Sequence, residues 1–117
     1  MNLKMNFFNG KTFKNYFSSR NRSLTKDQQL ILELYQEKIS IESFFELEKL
    51  NDFNLKSLEI GFGTGEKILQ SAISYPDNLF IGIEYYKKGI AQLLLNIEKN
   101  KLKNIRLFYG DAFDYLR

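Results

Sequence analysis

The sequence predicts an α/β fold, a βαβαβ unit of parallel strands preceded by a helical extension, and two observations carry that prediction. Three runs of strand length, residues 56–60, 79–84 and 104–109, alternate with segments whose apolar residues recur at helical spacing. Each run also ends near a carboxylate or a glycine: Glu59 with Gly61, Glu84, and Asp111 after Gly110. Consecutive strands joined by helices run parallel, with right-handed crossovers. Ligands of such sheets bind at the carboxyl ends of the strands. The three acids are therefore expected at one edge of one sheet. A chain of 117 residues has room for one small domain.

Residues 1–24 read as a basic arm. Lys4, Lys11, Lys14, Arg20 and Arg22 stand there without an acidic residue. Phe7, Phe8, Phe13, Tyr16 and Phe17 are too many aromatics for a pure linker, so some are expected to dock on the domain. Residues 25–54 form a helical extension. Thr25 and Gln28 have the T-x-x-Q spacing of a capping box. Leu30, Ile31, Leu34 and Tyr35 then fall on one helical face, and residues 41–50 predict a second short helix carrying Phe44, Phe45 and Leu47.

The α/β unit takes residues 55–117. After the strand at Lys56–Ile60, a helix from about Glu66 carries Ile68, Leu69, Ala72 and Ile73, and Pro76 stops it because proline cannot continue the hydrogen-bond ladder. Leu79 to Glu84 is the second strand. Tyr85-Tyr86-Lys87-Lys88-Gly89 reads as a loop with an exposed lysine pair. Residues 88–100 then place Ile90, Leu93, Leu94 and Ile97 at the i, i+3, i+4, i+7 positions of an amphipathic helix. Residues 104–109 are the third strand, and a last helix begins near Ala112.

Composition narrows the chemistry. The chain has neither Cys nor His, which excludes disulfides, thiol nucleophiles, imidazole bases and the usual zinc ligands. No metal site is expected. Absence of cysteine fits a cytosolic protein. No apolar run approaches the ~20 residues of a membrane span, and the N-terminus lacks the apolar core of a secretory signal. The net charge of +3 is small, but it is concentrated in the arm, which suits a polyanionic partner.

The segment Glu59 to Gly65, E-I-G-F-G-T-G, carries the functional signal. Gly61, Gly63 and Gly65 allow backbone angles that other residues resist and let a ligand approach closely. Their spacing is G-x-G-x-G, neither the G-x-G-x-x-G of dinucleotide enzymes nor a phosphate loop, which needs a following Lys-Ser or Lys-Thr. A carboxylate at the mouth would repel pyrophosphate and suits a cationic ligand group. Glu84, at the end of the second strand, offers two acceptor oxygens, which matches a ribose diol. Asp111 could accept from an adenine amino group or cap the last helix, and the two roles can coexist. Tyr85 and Tyr86 could stack on a base, although an ordinary loop accounts for them as well.

The runs L-E-I-G-F-G-T-G-E, F-I-G-I-E and K-N-I-R-L-F-Y-G-D-A lie between Leu58 and Leu116. Together they resemble the bacterial tRNA (guanine-N7)-methyltransferase family. Arg20 to Thr25, R-N-R-S-L-T, with Gln28, is similar to that family's basic R-x-R-x-L-T segment. The resemblance implies the N-terminal half of a Rossmann-like methyltransferase, with residues 55–117 a partial S-adenosyl-L-methionine-binding domain. It implies that the acids Glu59, Glu84 and Asp111, with Gly61, Gly63 and Gly65, hold that cofactor. It also implies methyl transfer to N7 of a guanine in tRNA, in the cytoplasm. Guanine N7 carries a free lone pair, so transfer needs alignment rather than a general base, and no residue here is assigned a catalytic role.

The chain departs from the family in two places. Many relatives carry a His and a Pro-Gly after G-I-E, where this chain has Tyr85 to Gly89. It also stops at Arg117, before the family's D-P-W strand end and its T-x-x-E-type motif. The expectation is therefore a chain truncated at its C-terminus, with guanine-binding residues beyond position 117. Its third strand is expected to have an open edge, and a second polypeptide could complete the sheet. Three alternatives stay open: an inactive cofactor- or RNA-binding fragment, half of a split enzyme, and half of a small-molecule or protein methyltransferase.

Overall fold

Thr25 opens the first helix by the capping box that its spacing predicts. Its hydroxyl accepts from the Gln28 amide at 3.1 Å, and the Gln28 side chain accepts from the Thr25 amide at 3.0 Å. The computed structural model describes residues 24–49, 52–54 and 56–116. The basic arm therefore lies, apart from Leu24, outside the described residues. The helix α1 spans Lys26–Tyr35, followed by α2 at Ile41–Phe44 and a 3₁₀ helix at Phe45–Lys49. Then come β1 (Lys56–Ile60), α3 (Glu66–Ser74), β2 (Leu79–Glu84), α4 (Lys87–Asn100), β3 (Ile105–Tyr109) and α5 (Ala112–Leu116).

The buried face of α1 is not the one that apolar spacing alone predicts. Gln28, Ile31 and Leu32 are buried, whereas Leu30 is 55% and Leu34 73% exposed. The reason lies in α4, against which α1 packs. The Gln28 carboxamide donates to the Gln92 side chain at 3.3 Å, so a polar pair occupies part of the interface and turns the helix. An apolar-only count misses a buried glutamine that has a partner.

The three strands form a parallel sheet in the order β1-β2-β3. Leu58 pairs with Ile81 and Glu59 with Gly82, while Gly82 pairs with Leu107 and Glu84 with Tyr109. Strand alternation puts Glu59, Gly82 and Leu107 on one face. A side chain at Gly82 would start 2.6 Å from the Phe62 ring and 3.2 Å from Ile68, so this face lies under α3 and needs glycine there. Leu79, Ile83, Ile90, Ala91, Leu93 and Phe108 are almost fully buried and form the centre of the core.

Both outer strands are edges: β3, as expected, and β1 as well. Among the described residues β1 pairs only with β2, and Leu58 and Ile60 are about half exposed. The edge of β3 is partly covered near its carboxyl end. The Tyr109 amide donates to the Ile39 carbonyl at 3.1 Å, and Phe44 packs edge-on against Phe108 and Tyr115, with ring centres 4.8 and 5.0 Å away. The Tyr115 hydroxyl donates to the Tyr109 carbonyl at 2.8 Å. Burial, helped by the negative charges of Asp114 and Glu42, pushes that phenol well above its ordinary value of 10.0 and keeps it a donor.

One buried side chain ties the sheet to its first crossover. Asn104, just before β3, donates to the carbonyls of Ala72 at 3.0 Å, Tyr75 at 3.1 Å and Asn78 at 3.0 Å. These oxygens belong to the end of α3 and the turn after it, where a helix leaves its last carbonyls unsatisfied. No described helix is long and apolar enough to cross a membrane.

Candidate functional site

β1 delivers the chain into the glycine segment at the carboxyl edge of the sheet. Gly61, Gly63 and Gly65 all have positive φ, +70°, +66° and +81°, conformations that L-residues with side chains resist. The positions differ in what else they require. A Cβ at Gly61 or Gly63 would meet nothing within 4 Å, so backbone angle alone selects glycine there. At Gly65, which begins α3, a Cβ would also lie 2.5 Å from the Leu93 side chain.

Glu84 organises this segment. It is 8% exposed, and its carboxylate accepts three backbone N–H groups. Oε1 takes the Gly63 amide at 2.6 Å, and Oε2 takes the amides of Tyr85 and Tyr86, each at 2.8 Å. Its own carbonyl accepts from Gly110 at 3.0 Å, while the Ile83 carbonyl accepts from Gly61 at 2.7 Å. The end of β2 thus holds the loop after β1, the start of α4 and the turn after β3 together. A carboxylate has about four acceptor positions, so one remains on Oε1.

Asp111 lies two residues beyond β3 and is exposed. Its Oδ1 accepts from the Phe113 amide at 2.9 Å, which caps α5. That bond uses only one carboxylate oxygen. Glu59 is the penultimate residue of β1, is partly buried, and lines a cavity of about 280 Å³ between β1 and α3 together with Lys67 and Ser71. The fold therefore brings Glu59, Glu84 and Asp111 to adjacent strand ends in the order β1, β2, β3. It gives them different surroundings: Glu84 buried and bonded, Asp111 exposed and capping, Glu59 beside α3. Among the described residues no group of three or more carboxylates is placed to hold a metal ion.

The segment after Glu84 differs from its sequence reading. Tyr85 and Tyr86 are exposed, but α4 already begins at Lys87. Lys87 is 3% exposed and Lys88 partly buried, so they are not an exposed loop pair. Gly82, Gly89 and Asn104 have no place in the sequence reading of the site. The available signal was weak but physical: glycine in a strand interior or in the first turn of a helix is costly and marks a close approach.

A family model described as "Putative methyltransferase" matches residues 54–117. The chain is 45% identical over 97 residues to the tRNA (guanine-N(7)-)-methyltransferase of Wolbachia pipientis wMel, covering 82% of this chain and 42% of that protein. It is 50% identical over 60 residues to the tRNA (guanine-N(7)-)-methyltransferase of Nitrosococcus oceani, covering 51% of this chain and 25% of that one. The protein of the same name from Buchnera aphidicola subsp. Schizaphis graminum is 34% identical over 106 residues, which is 86% of this chain and 44% of that protein. The chain thus spans less than half the length of these curated relatives.

Proposed function

The chain belongs to the methyltransferase family whose model covers residues 54–117, and from that membership we propose that it binds S-adenosyl-L-methionine at the carboxyl edge of its sheet and forms the cofactor half of a tRNA guanine-N7 methyltransferase. The observation that carries this reading is the glycine loop bonded to Glu84, with Glu59 and Asp111 on the flanking strand ends. Gly61 and Gly63 leave the backbone open to the methionine part, and Gly65 seats the loop against Leu93. Glu84 meets the ribose through the remaining position on Oε1 while keeping the Gly63 amide. Asp111 takes the adenine amino group with the oxygen that does not cap α5. Glu59 supplies negative charge toward the cationic end of the cofactor.

The cofactor supplies an electrophilic methyl group, and the protein's part is alignment with the lone pair of N7. That chemistry places no demand on the His and Cys that the chain lacks. The exposed Leu58 and Ile60 on the free edge of β1 are the surface that a further polypeptide segment, of this chain or another, would cover on the way to a guanine pocket. A tRNA substrate and a cysteine-free chain both suit the cytoplasm.

The basic arm is the proposed contact to tRNA phosphates. Binding of the 117-residue chain to unmodified tRNA should weaken about tenfold or more between roughly 50 and 200 mM salt, as counterion release requires. Deletion of residues 1–22 should remove most of that dependence. Cofactor binding without any tRNA affinity would favour a methyltransferase of small molecules or proteins instead.

A further inference from the structure

We propose that Gly89 is a positioning residue for the glycine loop: the first turn of α4 is seated against the Gly63 carbonyl, and only a residue without a side chain permits that seat. The inference rests on the reading of residues 61–65 as the cofactor loop. Gly89 is the third residue of α4 and is buried. Its backbone is not in the left-handed region, so conformational freedom is not why glycine stands there. In a helix, glycine costs about 1 kcal/mol relative to alanine, which makes a steric reason necessary. A Cβ at Gly89 would lie 2.8 Å from the Gly63 carbonyl carbon, nearer still to its oxygen, and 3.1 Å from the Tyr86 ring. The nearest obstacle is backbone, which cannot rotate aside as a side chain can.

Gly63 is thus held from two directions. Its N–H is bonded to Glu84 at the end of β2, and its C=O abuts α4 at Gly89. Gly65 repeats the arrangement one turn further along, against Leu93 of the same helix. The loop is therefore set against α4 as well as bonded to the strands, and a group at Gly89 would push Gly63 off the Glu84 carboxylate. Gly89 acts through Gly63 and does not itself touch the cofactor.

The test compares the wild-type chain with Gly89→Ala and with Asn104→Ala, a destabilising change just before β3 that leaves the loop alone. Two quantities are read: hydrogen exchange of the amides from Gly61 to Gly65, without cofactor, and affinity for S-adenosylhomocysteine. In Gly89→Ala, loop exchange should quicken and affinity should fall by about tenfold or more, since a site misplaced by ~1 Å loses its complementarity. Asn104→Ala should leave both near wild type at temperatures where it is folded.

Wild-type values in Gly89→Ala, or equal losses in both variants, would overturn the proposal. If the wild-type chain binds no S-adenosylhomocysteine, the function proposed above fails, while the exchange measurement still decides the role of Gly89. If Gly89→Ala does not fold, nuclear Overhauser contacts in the wild-type chain decide it. Contacts from the Gly89 α-protons to Gly63 or Thr64 support the seat, and their absence overturns it.

Discussion

Replacing Glu84 with alanine is expected to weaken S-adenosyl-L-methionine binding by about 1.5–3 kcal/mol, roughly 10- to 150-fold, the scale of hydrogen bonds to a charged group. The loss has two sources that experiment can separate. One is the proposed contact to the ribose. The other is the release of the three amides at Gly63, Tyr85 and Tyr86, which deforms the loop before any cofactor arrives. Each of those N–H groups loses a charged acceptor beside a buried strand end, so the variant should also melt at lower temperature. Glu84→Gln keeps the size and one acceptor oxygen but turns an NH2 group toward amides that need an acceptor. It should therefore recover only part of the affinity. Titration calorimetry on the three chains checks this, and equal affinity in wild type and Glu84→Ala would remove Glu84 from the site.

Asn104→Ala should cost the fold about 2–4 kcal/mol, because it strips the donor from three carbonyls at once. For a chain of this size that corresponds to a fall in melting temperature on the order of 10–20 °C. The two hydrogens of the carboxamide serve three oxygens, so one bond is shared and the three contributions do not add. Asn104→Asp should be worse still, since it places acceptors where carbonyls already point. Urea denaturation should show a lower midpoint at an unchanged slope. A loss well below ~1 kcal/mol would mean that water replaces the side chain at the end of α3.

The elements were legible where the signal is local. The Thr25–Gln28 capping box, the stop before Pro76 and the strand at Leu79–Glu84 all depend on neighbours within a few residues. The parallel order followed from alternation of strands and helices, and it placed Glu59, Glu84 and Asp111 at one edge. What escaped the sequence depends on distant partners. Leu30 and Leu34 face outward because Gln28 meets Gln92, 64 positions away. Asn104 reaches carbonyls 26 to 32 positions back. The edge of β3 was expected to be open, but not that the Ile39 carbonyl, far back in the chain, would meet it at Tyr109. Within the site, residue types indicated what each acid could accept, but not that Glu84 already holds three amides. That arrangement exists only once the loop after β1 folds over the end of β2.

Calorimetric titration of S-adenosyl-L-methionine into the purified 117-residue chain decides whether the carboxyl edge of the sheet is a cofactor site. Saturable binding at one site per chain, competition by S-adenosylhomocysteine and a marked loss in Glu84→Ala are expected. No detectable binding to a chain shown to be folded, or binding that Glu84→Ala leaves untouched, would contradict the proposed site.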